Sequence, residues 1–257
     1  AKGDEMPFEY EMYYEAEDGD SLVLTIDEVI QHYLEKNLEM AYEDNKVADH
    51  VTGIVMDVNT GGILAMANKP DFDLNDPFTI TDAETAQAIS EMPDGEEKTK
   101  ARSDALTAQW LNSAVTYTYY PGSTFKILVS SMAVEEGVVN TNSTFYCPGY
   151  RQVRDWRIGC WKAGGHGAET FTQAVMNSCN PAFMEIGSLL GKDLFYKYYK
   201  AFGLNQKTGI DLPGEAVGTF WDIDKMSEVD LAVASFGQNF TITPLQLIRQ
   251  WPTAGTL

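Results

Sequence analysis

The chain has 257 residues, 44% of them hydrophobic, with 38 Asp and Glu against 18 Lys and Arg and a formal net charge of -20. That length and apolar content support one sizeable core, with room for a lobe on each side of a cleft. The acidic surface repels phosphodiester backbones and anionic lipid, which argues against nucleic acid or a membrane face as partner.

Taken in order, residues 1–20 are acidic and tyrosine-rich and read as an extended lead-in from an upstream domain, with the main domain at 21–257. The start at Ala1-Lys2-Gly3-Asp4 is abrupt, with no signal peptide and no apolar run long enough to span a bilayer, so any anchor is expected upstream. Ser21 to Thr25 alternates as a short strand, and Thr25 with Glu28 forms a capping-box pattern. Val29, Ile30, Tyr33, Leu34, Leu38, Ala41 and Tyr42 then recur at helical spacing to about Asn45, with His32 at the surface. Val51 to Asp57 and Ile63 to Ala67 are two strands joined by Asn59-Thr60-Gly61-Gly62, a hairpin. Residues 79–104 are polar and charged and read as a mobile, exposed insertion around Pro93 to Lys98.

The stretch Tyr120-Pro121-Gly122-Ser123-Thr124-Phe125-Lys126 opens a helix. Pro121 and Gly122 make the turn, Ser123 is placed to cap, and Ile127 to Val134 is apolar on nearly every side, so the helix is buried. Residues three apart share a helix face, which sets the Ser123 hydroxyl beside the Lys126 amine. A desolvated lysine, neutral for part of the time, is able to take the serine proton, and the helix N-terminus favours the oxyanion that follows. Ser-x-x-Lys alone is common. Its setting after Pro-Gly, at the head of an apolar helix, resembles the first motif of penicillin-binding transpeptidases and serine β-lactamases.

Further along, Ser178-Cys179-Asn180 follows a helical stretch from Phe171 to Val175 and matches the Ser-x-Asn second motif of that family. "LTIDEVIQHYLEKNL", "GIVMDVNTGGILAMANKPDFDLNDP" and "SFGQNFTITPLQL" resemble landmarks of the class B penicillin-binding proteins, most of all elongation and sporulation types from Clostridia-like bacteria. The resemblance runs over roughly residues 20–248. It implies an α/β (α+β) transpeptidase fold of the penicillin-binding/serine β-lactamase-like kind: a central antiparallel sheet with helices on both faces plus an all-helical lobe. It also implies catalytic roles for Ser123, Lys126, Ser178 and Asn180. Ser178 would relay a proton, and Asn180 would hold the lysine and donate to the substrate carbonyl.

The implied activity is a serine D,D-transpeptidase that crosslinks peptidoglycan stem peptides ending in D-Ala-D-Ala. β-Lactam antibiotics would acylate Ser123, a cell-wall synthesis complex would be the partner, and the site of action would be the extracytoplasmic face of the membrane. A serine β-lactamase and a non-catalytic β-lactam sensor or scaffold of the same fold are the alternatives. The family's third motif, Lys-Thr-Gly on a cleft strand, is expected well past "SFGQNFTITPLQL". Lys207-Thr208-Gly209 comes too early, in "FGLNQKTGIDLPGEAVG", and reads as a separate loop. The last strands and C-terminal helix of the domain are therefore expected to be missing, leaving open sheet edges, marginal stability and poor acylation.

Cys147, Cys160, His166 and Cys179 make a Cys3His set, suited to structural zinc with no open position for water. Some elongation-type class B proteins resemble this pattern and carry zinc. Asp155 is a reserve ligand. A Cys147–Cys160 disulfide, with Cys179 a buried thiol and His166 a core histidine, remains the other reading.

Overall fold

The computed structural model describes residues 19–250; the expected lead-in lies, but for its last two residues, outside them. In chain order, α1 (Glu28–Asp44) is followed by β1 (Val51–Met56), β2 (Ile63–Lys69), α2 (Ala83–Glu91), α3 (Glu96–Trp110) and α4 (Ser113–Thr116). A 3₁₀ turn (Gly122–Phe125) runs straight into α5 (Lys126–Glu135). Next come β3 (Thr144–Cys147), β4 (Tyr150–Val153), β5 (Trp156–Gly159), β6 (Gly167–Thr170), α6 (Phe171–Met176), α7 (Asn180–Ala201), α8 (Glu228–Ala234) and α9 (Pro244–Ile248). Among the described residues the strands form three antiparallel pairs, β1–β2, β3–β6 and β4–β5. This is the α+β mixture the sequence implies, with the central sheet represented by β1 and β2 among the described residues.

The β1–β2 hairpin pairs Val51 with Lys69 through to Met56 with Ile63, with an irregularity between Val55 and Met56. The free edge of β2 is not left bare. Thr25 Oγ1 donates to Ile63 O (2.6 Å) and Asp27 N to Leu64 O (2.9 Å). The Gln31 side chain donates to Met66 O (3.0 Å) and accepts from Met66 N (2.9 Å), so the entry to α1 stands in for a neighbouring strand. Helix α1 then lies on the sheet at Gly53, where a Cβ would come within 2.6 Å of Leu34.

Three sequence expectations change here. Ser21–Thr25 is not a strand: Leu22, Val23 and Leu24 are 85%, 97% and 70% exposed, and Thr25 serves the β2 edge through its side chain instead. The α1 cap is Asp27, whose carboxylate accepts from Val29 N and Ile30 N (both 3.0 Å), rather than Thr25 in a capping box with Glu28. The polar stretch 79–104 is not an irregular insertion but holds α2 and most of α3; of the expected Pro93–Lys98 loop only the exposed Pro93-Asp94-Gly95 connection remains, and Glu96 already begins α3. Asp82 caps α2 through Thr85 N (2.7 Å), and i,i+4 pairs Gln87–Glu91, Lys98–Asp94 and Lys100–Asp104 support the two helices. A helix with so little apolar surface carries no periodic signal, though its Ala, Glu, Lys, Gln and Arg content favours helix.

The main core lies away from the hairpin. Phe125, Leu128, Val129 and Met132 of the 3₁₀ turn and α5 pack on Phe183, Ile186 and Phe195 of α7. Phe220 and Phe240 close it: Phe125 meets Phe240 edge-on at 4.8 Å, and Tyr199 stacks on Phe220 at 3.9 Å. A smaller core of Ala114, Val115 and Leu245 sits under the hairpin. Helix α7 breaks at Gly191 (φ 73°, ψ 162°), so it is two helical segments in series. The site forms where α5, the α6–α7 turn and the β3–β6 pair meet.

Candidate active site

Ser123 lies in the 3₁₀ turn, exposed, and its side chain makes no capping bond; its hydroxyl instead faces the amine one turn on. Lys126 is the first residue of α5 and is 3% exposed. Its Nζ lies 3.2 Å from Ser123 Oγ, 2.9 Å from Ser178 Oγ, 2.8 Å from Ser178 O and 2.7 Å from Asn180 Oδ1. The other three catalytic candidates, Ser123, Ser178 and Asn180, therefore converge on the Lys126 amine.

Counting donors shows what this cage can do. A charged ammonium has three N–H groups for four acceptors; a neutral amine has two N–H groups and one lone pair. Ser178 O and Asn180 Oδ1 only accept, so they take both N–H groups of the neutral form. The lone pair is then left for a hydroxyl proton, from Ser123 or Ser178. Burial favours that form: it is the largest influence on Lys126 and brings its pKa down from 10.5 to about 8, outweighing the opposing pull of Cys179 and Cys160.

The backbone around the cage is held tightly. Gly122 N donates to Gly237 O (2.8 Å), and Gly237, at φ 79°, approaches so closely that a Cβ there would lie 2.0 Å from Gly122 O. Ser178 stands at φ 48°, a left-handed conformation uncommon for a serine. Two residues that the sequence did not single out grip the turn before it. The Trp161 indole N–H donates to Asn177 O (2.9 Å), and Glu169 Oε2 accepts from Asn177 Nδ2 (3.1 Å). Nothing in the sequence marked Glu169; Trp161 was visible only as the neighbour of Cys160.

The expected ligand set also gathers. Donor atoms of Cys147, Cys160, His166 and Cys179 lie within 4.8 Å of one another, and Cys160 Sγ is 3.7 Å from His166 Nδ1. All three thiols are free, and His166 Nε2 is buried without a hydrogen-bond partner. Asp155 is exposed and outside the cluster. Burial, then a hydrogen bond with Glu169, pushes the Cys179 thiol well above its usual range, so a cation is what would draw its proton off. Three sulfurs and one imidazole in a half-buried pocket fit zinc.

Lys207-Thr208-Gly209 forms no strand. Thr208 N and Oγ1 both donate to Glu215 Oε1 (2.6 Å each) and Gly209 N to Glu215 Oε2 (3.2 Å). Burial would raise the Glu215 pKa, but these bonds prevail and hold it below the usual range. The triplet is a carboxylate-tethered loop.

The model of the penicillin-binding protein transpeptidase domain matches residues 51–253. The chain belongs to this family. Among relatives, the penicillin-binding transpeptidase domain described here is 37% identical to stage V sporulation protein D of Bacillus subtilis over 96% of the chain and 35% of that protein. It is 29% identical to the peptidoglycan D,D-transpeptidase FtsI of Escherichia coli over 92% of the chain and 35% of that protein. It thus spans about a third of the length of these curated relatives. Its fold is shared with a peptidoglycan glycosyltransferase from Burkholderia ambifaria (TM-score 0.72, 22% identity, 90% of this chain and 60% of that one). The transpeptidase domain of penicillin-binding protein 3 from Burkholderia pseudomallei is similar (TM-score 0.70, 21% identity, 90% and 57%).

Proposed function

We propose that the chain acts as a serine D,D-transpeptidase on peptidoglycan stem peptides, with Ser123 as nucleophile. The observation that carries this reading is the Lys126 amine, 3.2 Å from Ser123 Oγ and held from behind by Ser178 and Asn180. Neutral Lys126 takes the Ser123 proton as Oγ bonds to the penultimate D-Ala carbonyl carbon. The first N–H of the 3₁₀ turn, on Gly122, is spent on Gly237 O, so the next one, on Ser123 itself, would donate to the developing oxyanion. The C–N bond breaks, the proton passes by way of Ser178 Oγ to the leaving D-alanine nitrogen, and an ester on Ser123 remains. An acceptor amine then attacks that ester, its proton returns through Lys126, and Ser123 regains its hydrogen. A β-lactam enters the same first step, its ring amide opening to leave an ester on Ser123.

Because peptidoglycan lies outside the cytoplasmic membrane, that is where this reading puts the chain, within a cell-wall synthesis complex. Among the described residues no helix is long and apolar enough to cross a membrane. The similarity to a sporulation protein favours a sporulation-type role within the family. The test is intact-mass spectrometry after incubation with benzylpenicillin. The expected result is one adduct carrying the whole drug mass, absent in Ser123→Ala. No adduct, or an adduct that persists in Ser123→Ala, would sink the reading.

Cys147, Cys160, His166 and Cys179 are proposed as the ligands of a structural zinc. The bound ion would neutralise the thiolates and clamp Cys179 between the two residues that hold Lys126. Native mass spectrometry separates the two readings: zinc mass that is lost with a chelator supports the site. A protein lighter by two hydrogens, with no metal, would instead show the Cys147–Cys160 disulfide.

A further inference from the structure

Four of the described lysines are buried or half-buried: Lys69, Lys98, Lys126 and Lys192. Lys69 is paired with Glu39 and Asp71, and Lys98 with Asp94. Lys126 and Lys192 have no carboxylate within ion-pair distance among the described residues. Lys126 belongs to the cage at Ser123. Lys192 lines a cavity of about 570 Å³ between the β4–β5 hairpin, the break in α7 and the start of α8.

That cavity has the opposite sign to the molecule around it. Acids outnumber bases 38 to 18 along the chain, yet Arg151, Arg154 and Lys192 line this space with Glu228 as its one carboxylate. Arg151 is paired with Glu185 (2.7 Å) and Arg154 with Glu228 (2.5 Å), each pairing made through one guanidinium nitrogen. Lys192 Nζ donates only to the Ile223 carbonyl (3.2 Å), leaving two ammonium N–H groups unassigned. Met184, Met226 and Leu231, all nearly buried, supply an apolar wall. The break at Gly191 starts a second helical segment at Lys192, whose first backbone N–H groups lack intrahelical acceptors, and Ser188 adds an exposed hydroxyl. Ser188 lies eight residues beyond Asn180 on α7, about 12 Å along the helix axis. The cavity is a separate place from the Ser123 cage.

We propose that this cavity is a binding site for a short N-acylated peptide with a free C-terminal carboxylate and an apolar side chain. The carboxylate meets Lys192 Nζ, the peptide amides meet the N–H groups at the α7 break and the Ser188 hydroxyl, and the side chain rests on the methionine wall. Its volume lies in the range of ordinary small-ligand pockets. The inference does not depend on the chemistry at Ser123.

Methionine-methyl NMR on the full chain tests it, because Met184 and Met226 report from the wall itself. The probes are N-acetyl-Leu-Leu as the free acid and as its C-terminal amide. The acid is expected to move both methyl resonances saturably, and the amide to bind at least about tenfold more weakly, as the loss of a charge-assisted contact requires. Lys192→Met is expected to weaken the acid by a similar factor and leave the amide unchanged. The proposal is overturned if neither resonance moves at about 5 mM acid, well beyond the affinity of a specific pocket of this kind. Equal binding of acid and amide by the unaltered protein overturns it too, and that comparison needs no variant to fold.

Discussion

At Lys126 a single side chain has to be both buried and reactive, and its surroundings set how much of it is neutral. With a pKa of about 8, roughly a tenth of the amine is neutral at pH 7; at an unshifted value the share would be roughly three in ten thousand. Because the neutral form is the base, acylation of Ser123 by penicillin is expected to rise with pH and level off above about 8, read from the adduct rate across buffers. A flat profile would show that the amine is not the group that takes the proton. Lys126→Arg keeps the charge but cannot lose it in this range, so the adduct rate is expected to fall by about 10²–10⁴. This residue pair was legible from the sequence, since i,i+3 spacing on a helix needs no long-range information. The desolvated amine was expected too, from the apolar helix that follows; the exposure of the Ser123 hydroxyl above it was not.

At the level of elements, the α6–α7 turn carries the site. Asn177, just before the left-handed Ser178, is gripped by an indole and a carboxylate that approach from the segment between β5 and α6. Trp161→Phe keeps the ring and deletes the N–H, at a cost in stability of about 1 kcal/mol. The adduct rate is expected to drop several-fold while the melting temperature moves little, and rescue of the rate by Trp161→His, with its own N–H, would tie the effect to that bond. An unchanged rate in Trp161→Phe would leave Trp161 a packing residue only. Gly237→Ala tests the other side of the cage. With no room for a methyl against Gly122 O, the 3₁₀ turn must shift, so both the adduct rate and stability are expected to fall, the latter by about 1–3 kcal/mol. The helices at 83–110 show where reading elements from pattern fails: with a polar surface all round, α3 has only Leu106 buried, and no apolar stripe announces it.

At the scale of the molecule, the described residues hold two cores, and the cysteine–histidine cluster joins β3, the β5–β6 connection and the α6–α7 turn. Zinc there would hold these pieces in register, so a chelator is expected to lower the melting temperature and the adduct rate together. Cys147→Ser should do the same without a chelator, since Cys147 lies on β3, away from Ser123 along the chain. If neither treatment changes stability, the cluster does not serve as a clamp. The apolar positions of β1, the Ser-x-x-Lys spacing, the Ser-x-Asn triplet and the four ligand types were all written in residue order. They are local statements, and local chemistry fixes them. Which side chains brace the turn before Ser178, that Thr208 spends its donors on Glu215, and that Lys192 meets a cavity without a counter-ion were settled only when distant segments packed. Hydrogen bonds and burial depend on neighbours in space, and one-dimensional spacing carries no record of those.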